Sequence, residues 1–192
     1  MGLWDLFSKR HTDEVTGTKV LLCTLGEKFA QLLRDDRISY SRFYRAVIAT
    51  EFSTIKQLSQ AIEQRYDIVH LFCDLSPSGM VVDGRGNTIT GTALIEKCSD
   101  SDVKLLWIAN ENNPEGYIKG FKLAGKHINL VMTINRNGSK FSTFFEKLLS
   151  KLSRGETMPV AWAALAPQTP GRSQQDLPGC IFAAGRPGVR LR

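Results

Sequence analysis

Two short stretches of the chain gather residues whose types could do chemistry. The first is Val69-His70-Leu71-Phe72-Cys73-Asp74, followed closely by Ser76 and Ser78, and the second is Asn110-Glu111-Asn112-Asn113-Pro114. A thiol beside an imidazole would suit nucleophilic catalysis, with the ring accepting the thiol proton. His70 and Cys73, however, stand three apart in an apolar run of strand character, so their side chains point to opposite faces and cannot pair. Asp74 and Glu111 could instead form an acid and base pair if their surroundings drove their proton affinities apart. The remaining groups, Ser76, Ser78, Asn110, Asn112 and Asn113, supply hydrogen-bond donors and acceptors without a nucleophile, which suits recognition of a partner better than catalysis. Plain structural roles compete for two of these positions. His70 reads as a packed strand histidine, and Asn113 before Pro114 reads as a helix cap with proline at the first helical position.

Other chemistries lack their residues. Cys23, Cys73, Cys98 and Cys180 are scattered with no Cys-x-x-Cys pair, so a metal site is not expected and buried free thiols are. The Gly-rich run Asp83-Gly84-Arg85-Gly86-Asn87 has no Lys-Ser/Thr of a phosphate loop and sits between the short apolar ends Val81-Val82 and Thr88-Ile89, which predicts a β-hairpin. Thr24-Leu25-Gly26-Glu27-Lys28 has too few glycines for a dinucleotide fingerprint. No cofactor is expected.

The elements that must hold these residues follow from hydrophobic periodicity. Lys19 to Leu25 is a compact apolar run predicting a buried strand, and Phe29, Leu32 and Leu33 follow at helical spacing. Phe43 to Ala49 is a second strand candidate, followed by a helix carrying Ile55, Leu58 and Ile62 with Ser53 as its cap. Asp67 to Cys73 is a third strand, and Thr90 caps a helix with Ala93, Leu94 and Cys98 on one side. Val103 to Ala109 is a fourth strand, then a helix marked by Tyr117, Ile118 and Phe121 and ended by Gly125, then a fifth strand over His127 to Thr133. Phe141, Phe144, Phe145, Leu148, Leu149 and Leu152 form the longest helical stripe in the chain. A short helix over Ala161 to Leu165 and an edge strand over Gly179 to Ala183 complete the reading. Strict alternation of strand and helix predicts a three-layer α/β sandwich, with a mostly parallel sheet of five to six strands. Catalytic or binding groups then belong at the carboxyl ends of the central strands, where the two stretches described above fall.

Length and charge set the outer bounds. At 192 residues and 42% hydrophobic content, the chain suits one soluble domain. No apolar run approaches the roughly 18 to 20 residues of a bilayer span. Met1 to Phe7 lacks the form of a secretory leader, and Leu6 stands where a myristoylation motif wants Ser or Thr, so a cytoplasmic protein with no membrane attachment is expected. The formal charge of +6 divides evenly between residues 1 to 158 and the last 34, a stretch that also carries five of the seven prolines. Scattered arginines in such a tail read as solvation, so nucleic-acid binding is not expected. The organisation is therefore an extension over 1–18, an α/β domain over 19–168, and a Pro/Gly/Arg-rich tail over 169–192 that holds the edge strand. That final strand, near Cys180 to Ala183, offers a route to a homo-oligomer by edge pairing.

The two strand endings and their order resemble the caspase-like fold of clan CD cysteine peptidases, and within it the bacterial CHAT branch. Asp67-Ile68-Val69-His70-Leu71-Phe72-Cys73-Asp74-Leu75 is similar to that family's third strand, D-V-V-H-F-A-C-H-G, and the turn at Asp83-Gly84 to the hairpin that follows it. Leu105-Leu106-Trp107-Ile108-Ala109-Asn110 is similar to the fourth strand, L-V-V-L-S-A-C. Gly120 to Gly125 and Phe144-Phe145 to Gly155 match later motifs in order, so the resemblance runs from about Lys19 to Gln168.

The resemblance sets the family's catalytic histidine on Asp74 and its catalytic cysteine on Asn110. An amide is no nucleophile and a carboxylate cannot shuttle a proton as imidazole does. It therefore implies a degenerate, non-catalytic member that keeps the scaffold and binds a protein through its former active-site rim or a sheet edge, in bacterial proteolytic signalling or antiviral defence. The rim would comprise His70, Asp74, Ser76, Ser78, Asn110, Glu111, Asn112 and Asn113. Two alternatives stay open: a small hydrolase using Asp74 and Glu111, and a sensor of a small ligand at the same rim.

Overall fold

A computed structural model describes residues 17–110, 114–123, 126–133, 136, 141–165 and 180–191. Among them run β1 (Lys19–Leu25), α1 (Ala30–Ser41), β2 (Ala46–Phe52), α2 (Ile55–Ile62), β3 (Ile68–Phe72), β4 (Asp74–Leu75), β5 (Val81–Val82), β6 (Thr88–Ile89), α3 (Gly91–Asp100), β7 (Leu105–Ala109), α4 (Pro114–Gly120), β8 (Asn129–Thr133), α5 (Phe141–Ser153), α6 (Met158–Leu165) and β9 (Cys180–Ala184). A 3-10 turn, Glu27–Phe29, links β1 to α1.

The main sheet has six strands in the order β2-β1-β3-β7-β8-β9. All neighbours pair in parallel except β9, which runs antiparallel to β8 with Val131 opposite Phe182. Alternate residues divide the interior into two apolar layers. Val20, Leu22, Phe72, Trp107 and Val131 pack under α1, α5 and α6. Leu21, Cys23, Leu71, Leu106 and Leu130 pack under α2 and α3. The sheet is thus enclosed between two helical faces, the α/β sandwich that the alternating elements predict. Burial on both faces accounts for the predominantly apolar composition of β3, β7 and β8, in which every residue is buried. The stripe on α5 is wholly buried from Phe141 to Leu152, as expected.

The predicted hairpin is present and belongs to a second sheet. β4, β5 and β6 form three short antiparallel strands beyond the end of β3. Asp83 locks the hairpin to the body: its carboxylate accepts from the backbone N–H groups of Arg85 and Asn87, both at 2.9 Å, and from that of Ile55 at 3.1 Å. Desolvation pushes its carboxyl up, but the bonds from the Asn87 side chain and from these three N–H groups together hold it below the usual carboxylate range. Gly120 ends α4 where its backbone meets the β4–β5 turn, because a Cβ there would lie 2.1 Å from the Gly79 carbonyl oxygen.

Several boundaries move. The second strand is Ala46–Phe52 rather than Phe43–Ala49, because Phe43 and Tyr44 both donate their N–H to the Tyr40 carbonyl and close the end of α1 instead. The cap of α2 is Thr54 rather than Ser53. Gln57 sits three residues after Thr54 and completes a reciprocal capping box, which Ser53 is one residue too early to make. Thr90 caps α3 as expected, accepting from the Ala93 N–H. The helix expected to end at Gly125 ends at Gly120, and Gly125 itself lies outside the described residues. No described helix is long and apolar enough to cross a membrane.

Candidate functional site

The carboxyl ends of β1, β3 and β7 lie side by side in the middle of the sheet. Strand order reverses direction at β1, which has β2 on one side and β3 on the other. A parallel sheet opens its crevice at such a point. Here an ion pair spans it. Lys28, just beyond β1, places its Nζ 2.5 Å from Oδ1 of Asp74, the first residue of β4. Both side chains are solvated, 57% and 35% exposed, so the pair marks proximity more than it adds stability.

Asn110 follows β7 and is fully buried. Its Nδ2 donates to the Cys73 carbonyl at 2.9 Å, and the Cys73 N–H donates to the Ala109 carbonyl at 3.2 Å. The side chain of Asn110 therefore extends the β3–β7 ladder by one further bond and fastens the peptide immediately before Asp74. The two positions that the resemblance assigns to a catalytic pair follow neighbouring strands, and Asn110 is turned inward as a structural clasp. Ser76 and Ser78 also serve locally: their hydroxyls meet at 2.9 Å, and Ser76 Oγ accepts from the Met80 N–H in the β4–β5 turn. Glu111, Asn112 and Asn113 lie outside the described residues.

His70, grouped with the rim in the sequence, lies in the core. It is 0% exposed, stacked between Phe72 and Trp107 with ring centroids 4.7 and 5.2 Å away. Strand parity sends it to the α1 and α5 layer, whereas Cys73 belongs to the opposite one. Its Nδ1 lies 3.2 Å from the Tyr40 hydroxyl, and its Nε2 lies 3.7 Å from Asp36 Oδ2, too far for a hydrogen bond. Burial above all, and the Arg136 charge after it, hold the imidazole well below its ordinary range, so the ring is neutral at pH 7. The Asp36 carboxylate favours the ring N–H at Nε2, leaving Nδ1 to accept from Tyr40.

Beneath the rim, the structure assembles a buried polar cluster that the sequence analysis missed. Asp36, 3% exposed, receives both Nη atoms of Arg136, at 3.0 and 2.5 Å. The guanidinium lies over the rings of Phe72 and Phe141 at 5.1 and 4.6 Å. Desolvation pushes the Asp36 carboxyl up against the lowering pull of Arg136. On the far side, Trp107 Nε1 donates to Thr133 Oγ1 at 2.7 Å, and the Cys180 thiol reaches the same oxygen at 3.6 Å. One signal was available: Leu33, Asp36 and Tyr40 stand at i, i+3 and i+7, so Asp36 occupies the apolar stripe of its helix. Nothing local marks Arg136.

All four cysteines are buried, free thiols. Burial pushes every one of them up, Cys98 and Cys180 to about 12, and holds them protonated and inert. Among the described residues no cluster of His, Cys, Asp and Glu could hold a metal ion. Replacing Asn110 by Ala should strip the Cys73 carbonyl of its buried donor and cost about 1 to 2 kcal/mol, read by urea denaturation. A cost near zero would show that the clasp contributes nothing.

No known family profile matches the sequence, and no curated protein does. Among solved structures, the structure of pro-sf-caspase-1 superposes with a TM-score of 0.56 at 10% identity, covering 88% of this chain and 87% of that one. The fold is caspase-like. At this identity the likeness establishes the scaffold alone. Within the caspase-like scaffold, the candidate site consists of Asp74 paired to Lys28, Asn110 turned inward, and a core polar cluster below them.

Proposed function

We propose that this chain is a catalytically inactive caspase-like protein that works as a protein-binding or regulatory module. One observation carries the reading. At the two positions that the resemblance assigns to a thiol and an imidazole, the chain has an amide that donates to the Cys73 carbonyl and a carboxylate paired with Lys28. The four thiols support it, because none is exposed or ionised to replace the missing nucleophile. On this reading the chain is a CHAT-like module of a bacterial defence or proteolytic signalling system, a reading that rests on the motifs at Asp67–Leu75 and Leu105–Asn110. Free buried thiols accord with a reducing compartment. Its partner surface is the solvated part of the rim, centred on Asp74.

The test has two arms. Incubation with a diverse fluorogenic peptide library should give no turnover, and cleavage that disappears in Asp74→Ala would overturn the non-catalytic assignment. Affinity capture from the native host should recover a stoichiometric protein partner that Asp74→Arg loses while its thermal midpoint stays unchanged. A partner retained by that variant would remove the rim as the binding surface.

A further inference from the structure

Beyond that reading, and independent of whether the rim binds anything, the outer edge of the main sheet carries a pattern of its own. Among the described residues β2 pairs only with β1, and none of them pairs with its other edge along Ala46–Phe52. The Phe52 carbonyl accepts from the Gly26 N–H at 3.2 Å, which turns the peptide groups of the even-numbered residues toward β1. The odd-numbered residues Arg45, Val47, Ala49 and Glu51 therefore aim their N–H and C=O groups outward. Such a row is a template for another strand, and proteins ordinarily blunt it with charged side chains, Lys above all. Here the two charges have opposite signs. Arg45 and Glu51 are both exposed, and neither has an ion-pair partner among the described residues. They stand on one face of the strand, at equal distances before and after Ile48. Ile48 projects from the other face, on the side of Leu21, and at 49% exposure is among the few large apolar side chains left in solvent.

We propose that β2 is a dimerisation edge, whose occupant is β2 of a second copy of this chain running antiparallel, in a register centred on Ile48. In that register Arg45 of each copy stands directly opposite Glu51 of the other, twice by symmetry, and Val47 stands opposite Ala49. Every directly opposed odd-numbered pair is then a hydrogen-bonded pair, using the outward peptide groups. The two Ile48 residues meet on the two-fold axis as a non-hydrogen-bonded pair, the kind in which Cα atoms approach to about 4.5 Å and side chains are closest. A shift of two residues in the sum of the paired positions keeps the hydrogen bonds but moves both charges off their partners. The charges thus select one register, and a second copy supplies the complement that no described residue supplies. The partner contact is isologous and closes on itself, so it yields a dimer and not a fibre.

Sedimentation equilibrium of the full chain, from about 1 to 200 μM, reads the association directly. A monomer–dimer equilibrium is expected. Arg45→Glu or Glu51→Arg alone turns two attractions into two repulsions and should weaken the dimer by roughly ten- to thirty-fold, whereas Arg45→Glu with Glu51→Arg should restore it to within about three-fold. Ile48→Asp, which faces two carboxylates across the axis, should leave only monomer. All these side chains are exposed, so the fold is not at stake. Hydrogen exchange should show the Val47, Ala49 and Glu51 amides gaining protection as concentration rises. A monomer at every concentration overturns the proposal, as does a dimer indifferent to the charge reversals. Concentration-independent protection of those amides would also overturn it, by showing that the edge is covered from within the same chain.

Discussion

Arg136→Ala should destabilise the protein by about 3 to 5 kcal/mol, the range for breaking one side of a buried ion pair. Among the described residues the guanidinium is the sole ion-pair partner of Asp36 with a permanently charged side chain, and both are within the core, at 7% and 5% side-chain exposure. Its removal leaves a buried carboxylate without either Nη bond and strips Phe72 and Phe141 of the guanidinium that lies over their rings. The pair also ties the segment after β8 to α1, one hundred residues earlier. Equilibrium urea unfolding measures the effect. The companion variant, Asp36→Leu with Arg136→Met, replaces both charges by apolar groups of similar reach and should recover most of the loss, since desolvating an ion pair consumes much of its attraction. A loss below about 1 kcal/mol in the single variant would mean that Asp36 is solvated or protonated without cost, contrary to its burial.

Acid should destabilise the protein through His70. Burial and the Arg136 charge keep the native imidazole neutral well below its ordinary value, whereas the unfolded ring binds a proton near pH 6.5. A depressed folded value means that the associated stability is complete above the unfolded value and is lost as pH falls through the interval below it. The slope from one such group reaches about 1.4 kcal/mol per pH unit, or roughly 2 kcal/mol between pH 6.5 and 5. Asp36 works in the opposite sense. Desolvation raises its folded value, so its contribution is present below the usual carboxylate range and fades as pH rises through that raised value. The groups that face His70 are Asp36 and Tyr40 of α1, Arg136, and the rings of Phe72, Trp107 and Phe145. His70→Phe removes the titrating ring yet keeps an aromatic in the stack. The difference in unfolding free energy between this variant and the parent, followed from pH 7.5 to 5, isolates the histidine. Parallel profiles would show that the native ring protonates as readily as the unfolded one.

Several features of the protein were determined locally and could be read from the chain. The short, mainly apolar runs ending at Leu25, Phe72, Ala109 and Thr133 read as strands covered on both faces, because strands buried on both sides carry near-continuous hydrophobic runs of that length. The α5 stripe and the hairpin around Asp83-Gly84 are equally local, one a matter of period and the other of turn chemistry.

What each residue of the candidate site does was decided only in three dimensions. Whether Asn110 faces solvent or a carbonyl depends on the register that sets the end of β3, Phe72, opposite the end of β7, Ala109, and no local pattern records a register between strands. Asp74 meets Lys28 because β1 and β3 are neighbours, although 46 residues separate the two side chains. His70 could be read from the chain as a packed strand histidine, but the aromatic rings that enclose it come together only in the packed sheet. The pairing of Asp36 with Arg136 shows the principle most clearly. An aspartate on an apolar helical stripe announces that some cation must come to it, since a buried charge without a partner is too costly to keep. Which cation comes, and from where, is a property of the packed chain alone.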